Sequence, residues 1–198
     1  MGAPDTMTPA EARRQGREAR RALPAPARHR ASQRLCTRMA ATRWFRDAQS
    51  VALYWATDHE PQLNALVAIA RAQGKTVLLP VVGHRGVMQF RTWRPGEMLV
   101  LNRYGIAEPR SADRRHHTRL SRARCVVCAP LTAFDAQLRR VGMGGGYYDR
   151  WFSQHLHRYG IRRIGIAFDC QRVANIEAQS WDVTLHGVVT ESQIYKAP

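Results

Sequence analysis

SVALYWA (50–56), PQLNALVAIARA (61–72) and GKTVLLPVV (74–82) follow one another with only short polar joints between them. The first and third are continuous apolar runs of the kind found in strands covered on both faces, and the second reads as an apolar helix. Strand, helix, strand in that order implies a sheet built with helical crossovers. VMQFRTW (87–93) alternates like a hairpin strand after the turn GHRG, and RCVVCAP (124–130), RRIGIAFD (162–169) and HGVVTE (186–191) repeat the short buried-strand pattern. The pattern predicts an α/β protein, a mostly parallel sheet flanked by helices.

Ahead of this pattern, TPAEARRQGREARRALPAPARHRASQRLCTRM (8–39) is rich in alanine and arginine and broken by Pro24 and Pro26. Two helices are expected, the first capped by Thr8 with Pro9 at its first position and Glu11 at the capping-box spacing. The first helix has few large apolar residues, which places it on the surface. With 198 residues, 44% of them hydrophobic, the chain suits a single domain over 1–198, with a basic helical segment (1–46) packed on it. No internal repeat or low-complexity segment is present.

No apolar run approaches the ~20 residues that span a bilayer, and the first residues lack the apolar stretch of a signal peptide. Four cysteines (Cys36, Cys125, Cys128, Cys170) are too few for a disulfide framework. A cytoplasmic protein without a membrane partner is expected. The net charge of +16 is carried almost wholly by arginine, Lys75 and Lys196 being the only lysines. Arginine forks suit phosphates and carboxylates, so an anionic partner is expected: nucleic acid, a nucleotide or a polyanionic small molecule. Charge alone does not choose among them.

RVGMGGGYYDR (140–150) places four glycines within five residues before two tyrosines and an aspartate, between a strand with its loop and a helix starting near Tyr148. Such a loop lets backbone N–H groups approach an anion beside a helix N-terminus, and Arg140 would clamp what the amides cradle. The stretch is neither a Walker A loop, lacking Lys-Ser/Thr after Gly146, nor a dinucleotide fingerprint, having Tyr147 where glycine is required. From the residues alone a second reading stays open: a tight turn with Tyr147 and Tyr148 as core rings and Asp149 as helix N-cap.

AFDAQLRRVGMGGGYYDR (133–150) closely resembles the signature of the 5-formyltetrahydrofolate cyclo-ligases, or methenyltetrahydrofolate synthetases. GIAFDCQ (165–171), WDVTLHGVVT (181–190), GKTVLLPVV (74–82), IAEP (106–109) and RRAL (20–23) are similar to further blocks of that family, so the likeness covers nearly the whole chain. The resemblance implies a three-layer fold of the NagB/RpiA/CoA-transferase type. It also implies a reaction in which ATP and Mg²⁺ close 5-formyltetrahydrofolate to 5,10-methenyltetrahydrofolate, releasing ADP and phosphate. ATP would phosphorylate the formyl oxygen and N10 would then attack the activated carbon.

By the same resemblance, Arg13, Arg140, Val141, Gly142, Met143, Gly144, Gly145, Gly146, Tyr147 and Tyr148 are implied to bind ATP. Met143, Gly144, Gly145, Gly146 and Tyr147 would also face the folate, together with Trp55 and Glu60. Arg140 and Glu60 are the implied catalytic residues, and Asp149 and Asp182 the implied Mg²⁺ contacts, hard oxygen donors that suit this ion. Read singly, Trp55 is more commonly a core residue, Glu60 a surface residue and Asp182 a turn residue.

The sequence departs from the family pattern at two positions. Pro9 stands in a usually basic slot four residues before Arg13, for which Arg14 and Arg17 are the candidate substitutes. Leu138 stands where the signature has glycine, and a leucine resists a left-handed turn. Cys125-Val-Val-Cys128 lies in a strand pattern, which sends the two thiols to opposite faces. His116-His117 sits in an arginine-rich segment (103–124) expected to be a partly ordered loop, and lacks a second pair at zinc-ligand spacing. Asp135 suits a turn as well as chemistry. The alternatives to the enzyme are a nucleic-acid-binding protein using the arginines of 13–46 and 103–124, and a member that binds folate or nucleotide without turnover. Specific nucleic-acid recognition is not expected, since no recognisable module is present. A monomer is the favoured state.

Overall fold

The computed structural model describes residues 6–83, 87–110, 124–156 and 160–196. His116 and His117, with most of the arginine-rich segment, lie outside the described residues.

The chain opens with α1 (Pro9–Ala22), α2 (Ala25–Ala40) and the single turn α3 (Arg43–Arg46). There follow β1 (Ser50–Ala52), α4 (Asn64–Ala72), β2 (Thr76–Val82), β3 (Met88–Thr92), β4 (Leu99–Leu101) and β5 (Ala107–Pro109). The second half holds β6 (Cys125–Pro130), β7 (Ala133–Phe134), β8 (Arg140–Val141), α5 (Tyr147–Gln154), β9 (Ile161–Ile166), β10 (Gly187–Val189) and β11 (Ile194–Lys196).

Seven strands form one sheet in the order β11-β10-β9-β6-β1-β2-β3. The five inner strands are parallel, and β3 and β11 add antiparallel edges. The continuous apolar runs follow from this arrangement, because each inner strand is buried on both faces. In β6 the side chains alternate: Val126 and Cys128 join the layer beneath α2, α3 and α4, while Cys125, Val127 and Ala129 join the layer with α5. Cys125 and Cys128 therefore sit on opposite faces as free thiols, and burial pushes the Cys125 thiol up to about 11. Three layers, helix, sheet and helix, result.

Strand order reverses between β1 and β6, since the chain leaves β1 toward β2 on one side and β6 toward β9 on the other. In open α/β sheets that switch point leaves a crevice beyond the carboxyl ends of the two strands, which is where ligands bind. The segments leaving these ends are 53–60 and 131–146, the two that carry most of the implied site residues.

Helix α1 has the predicted capping box: Thr8 Oγ1 accepts from Glu11 N at 3.3 Å, and Thr8 N donates to the Glu11 carboxylate at 2.9 Å. Its expected surface position needs correction. A narrow stripe of Ala12, Gly16 and Arg20 is buried, and Ala12 packs with Ala133, Val141, Val173 and Ile176 against the small β7–β8 hairpin. Small residues at spacing four carry little apolar signal, yet they let two backbones approach closely. A Cβ on Gly16 would lie 2.0 Å from the Thr132 carbonyl oxygen. Gly16→Ala should therefore push α1 off the hairpin. The expected cost is about 1–3 kcal/mol, the usual scale of overpacking, read as a lowered midpoint of thermal unfolding. An unchanged midpoint would refute the close contact.

Candidate active site

The glycine stretch runs from β8 through Gly142–Gly146 into α5. Gly144 (φ 99°) and Gly146 (φ 62°) take conformations that L side chains rarely adopt. Gly146 is the N-cap of α5 and supplies no side chain to its N–H groups. The reading of Asp149 as N-cap is thereby corrected: the left-handed glycine starts the helix at Tyr147, and Asp149 falls within the first turn.

Arginines from four places reach this loop. Arg13, from α1, donates through Nε to the Gly142 carbonyl at 2.8 Å, and its guanidinium carbon lies 3.8 Å from where a Gly144 Cβ would stand. Arg140 is buried, pairs with Asp149, and among the described residues its Nε–H has no hydrogen-bond partner. Arg150 donates to the Gly145 carbonyl at 2.7 Å and lies over the Tyr147 ring. Arg103, from the β4–β5 turn, reaches the Tyr147 hydroxyl at 3.5 Å. Concentrated positive charge around bare backbone suits a polyanion.

Two departures from the family pattern leave this geometry intact. Pro9 is the first residue of α1, where its missing N–H costs nothing, and Arg13 still reaches the loop. Leu138 adopts φ 61°, so the left-handed turn that a leucine resists is made here nonetheless. Left-handed strain of roughly 1–2 kcal/mol is offset because the Leu138 side chain is buried in the layer of Phe134, Trp151 and Phe152. Asp135 fixes the same turn. It is fully buried and accepts from the backbone N–H groups of Gln137 and Arg139, each at 3.0 Å, and from that of Ile176. Its role is structural.

Glu60 follows β1 in a turn held by Asp58 (φ 42°) and His59 (φ 63°). It is buried, not a surface glutamate. One carboxylate oxygen, Oε2, accepts from Thr57 N at 2.9 Å and Thr57 Oγ1 at 3.3 Å, and Oε1 lies 3.9 Å from Arg20 Nη1. Burial raises the Glu60 carboxyl pKa, and the Thr57 hydrogen bonds and Arg20 oppose that rise. A cleft of about 300 Å³ opens beside it, bordered by Arg28, His29, Thr57, His59 and Gln62.

Tyr148, in the first turn of α5, carries a buried hydroxyl with no hydrogen-bond partner among the described residues. Burial drives its pKa up, the Glu60 carboxylate adds to the rise, and Arg140 opposes it.

Trp55 is 38% exposed and meets Trp93 edge to face at 6.0 Å, so it is not a core residue. Met143 is 49% exposed. Val141 turns its side chain into the cluster beneath α1, and its carbonyl accepts from Thr132 N at 2.7 Å. Asp182 accepts from Gln179 N at 2.9 Å, a turn contact through Oδ2. Among the described residues no three His, Cys, Asp or Glu side chains form a metal-binding group.

Tyr104 is absent from the sequence-derived set. Its hydroxyl lies 2.7 Å from that of Tyr147, and the rings meet edge to face. The bond from Tyr104, and then Arg103, lowers the pKa of the Tyr147 phenol. No local pattern announces the pair, because it joins residues 43 apart. Tyr104→Phe keeps the ring and removes the bond, so Tyr147 should titrate at higher pH. Ring-labelled tyrosine NMR across the alkaline range reads this, and an unmoved resonance would rule out the phenol pair.

A family model described as the 5-formyltetrahydrofolate cyclo-ligase family matches residues 6–191. The chain is 36% identical over 182 residues to the 5-formyltetrahydrofolate cyclo-ligase of Escherichia coli K12, covering 91% of this chain and 98% of that one. It is 33% identical over 146 residues to the Haemophilus influenzae protein of the same name, covering 73% and 76%. Among solved structures, the NMR structure of Aquifex aeolicus 5,10-methenyltetrahydrofolate synthetase superposes with a TM-score of 0.79 at 24% identity, over 95% of this chain and 92% of that one. A Mycoplasma pneumoniae 5,10-methenyltetrahydrofolate synthetase gives 0.71 at 22% identity, over 94% and 100%. With the family pattern matched from before α1 to beyond β10, this chain belongs to the 5-formyltetrahydrofolate cyclo-ligase family.

Proposed function

We propose that this protein closes 5-formyltetrahydrofolate to 5,10-methenyltetrahydrofolate, consuming ATP. The observation that carries the reading is the arginine-ringed glycine loop on one side of the switch point, with the buried Glu60 carboxylate in the segment that leaves β1 on the other. A triphosphate site and a carboxylate for the folate are then within reach of one another.

The formyl oxygen is a poor leaving group. It attacks the γ-phosphorus of ATP, and ADP departs. N10 then attacks the formyl carbon and loses its proton, and the C–O bond breaks to release phosphate. The protein's part is to align the reactants and neutralise charge. The amides of Gly144, Gly145 and Gly146 line the phosphates, with Arg13 and Arg140 supplying positive charge. Arg140 is held ready by Asp149 and has an N–H to spare. Glu60 accepts N–H bonds from the pterin, and the exposed faces of Trp55, Met143 and Tyr147 contact the folate. Mg²⁺, when bound, shields phosphate charge and normally takes only one or two carboxylates beside phosphates and waters. Asp149 and Asp182 are the carboxylates assigned to it here.

The test supplies the purified protein with 5-formyltetrahydrofolate, ATP and Mg²⁺ and follows the absorbance of the methenyl product. Turnover is expected only with all three, and no product from folded protein would overturn the function. Arg140→Ala should lower kcat by roughly 10²–10³, the usual cost of removing one donor to developing charge, with its circular dichroism unchanged. Undiminished turnover would take Arg140 out of the mechanism.

A further inference from the structure

We propose that Arg20 is a positioning residue for Glu60, a buried guanidinium delivered by α1 that keeps the carboxylate charged and fixed in direction. Arg20 is fully buried, with Nη2 2.9 Å from Asp58 Oδ2 and Nη1 3.9 Å from Glu60 Oε1. A purely structural anchor explains this arrangement poorly. Asp58 is already held by Arg17 at 3.2 Å and Arg21 at 2.6 Å, both partly exposed. Taking a third cation fully out of water costs several kcal/mol before pairing repays it. An apolar side chain would finish the Ala12–Gly16 stripe more cheaply.

What Arg20 alone adds among the described residues is an ion pair with Glu60. The donors are also not used up: Nε and Nη1 are buried without hydrogen-bond partners among the described residues. On the other side, Thr57 saturates Oε2 of Glu60 and leaves Oε1 facing the arginine. The left-handed backbone at Asp58 and His59, strained by about 1–3 kcal/mol at each residue, is held in place by the same cluster of arginines on Asp58.

The charged and titratable groups around Glu60 are Arg20 from α1, Arg28 and His29 from α2 across the cleft, Asp58 and His59 in its own turn, Tyr54 just after β1 and Tyr148 from α5. Both phenols are neutral at ordinary pH because burial drives their pKa values upward. Arg20 is the cation that opposes protonation of Glu60.

The kinetic consequence rests on Glu60 binding substrate as proposed above, so the test reads the carboxylate directly as well. Carboxyl-labelled glutamate NMR, with Glu60→Gln assigning the resonance, follows Glu60 in the wild type, Arg20→Met and Arg20→Lys. Arg20→Met should shift the titration to higher pH, and Arg20→Lys should return most of the shift. In parallel, kcat/KM of Arg20→Met should fall about tenfold at the acid end of the profile, the scale of one opposite charge at this range, and recover toward neutral pH.

A titration that stays in place, or an activity loss equal at every pH, overturns the proposal. Should Arg20→Met not fold, Arg20→Gln decides: it keeps N–H donors for Asp58 and removes the positive charge. The Glu60 titration must then move to higher pH, and an unmoved one overturns the proposal. Absence of turnover in the wild type would sink the proposed function instead, leaving the NMR comparison to judge Arg20.

Discussion

The backbone of α1 lies directly against the Thr132 carbonyl because Gly16 has no side chain. Everything the helix does at the site depends on that approach. Arg13, one turn before Gly16, reaches the Gly142 carbonyl at the glycine loop, and Arg20, one turn after it, reaches Asp58 and Glu60 beyond β1. One rigid rod therefore sets the spacing between the two halves of the switch-point crevice. Residues at i, i+3 and i+7 of a helix share a face, so a single close contact fixes both arginines together. Displacing the contact would move both.

Charge in this protein is organised by the same geometry. The excess of 31 basic over 15 acidic residues gives solubility and a general attraction for anions, but the arginines at the site are individually engaged. Arg13 and Arg150 bind loop carbonyls, Arg140 binds Asp149, and Arg17, Arg20 and Arg21 converge on Asp58. Partly buried ion pairs add little net stability, since desolvation offsets attraction. Their effect is to fix direction. Carbonyl and carboxylate partners hold the guanidinium groups in place around the loop before any anion arrives, which lowers the ordering cost of binding.

The sheet was legible in the sequence because its inner strands are buried on both faces and so appear as unbroken apolar runs. The opposite fates of Cys125 and Cys128 followed from strand periodicity alone. Other features were illegible for definite reasons. The docking of α1 rests on alanine and glycine, which score as neither apolar nor polar. The Tyr104–Tyr147 pair is a tertiary meeting with no local pattern. That Asp149 is not the N-cap turned on one left-handed glycine, Gly146, whose φ no composition reveals. Arg20 looked like any other arginine of a basic helix, and only the i, i+4 series Ala12, Gly16, Arg20 marks it as inward-facing.

Leu138 shows which part of the glycine-rich pattern is physically required. The turn after Asp135 needs a left-handed residue, for which glycine carries no steric penalty. Leucine takes the same φ here and fills the space among Phe134, Trp151 and Phe152. Full burial of a leucine is worth ~1.5–3 kcal/mol, enough to offset the local strain of about 1–2 kcal/mol. The path of the backbone into Arg140 is thus retained although the residue that usually permits it is absent. At Gly144 the left-handed φ alone disfavours a side chain, since a Cβ there would make only ordinary contact with Arg13 at 3.8 Å, whereas at Gly146 a Cβ would also lie 2.7 Å from Arg150 Nη1. Within one short segment, the first two left-handed positions constrain backbone shape, and the third constrains backbone shape together with the placement of Arg150.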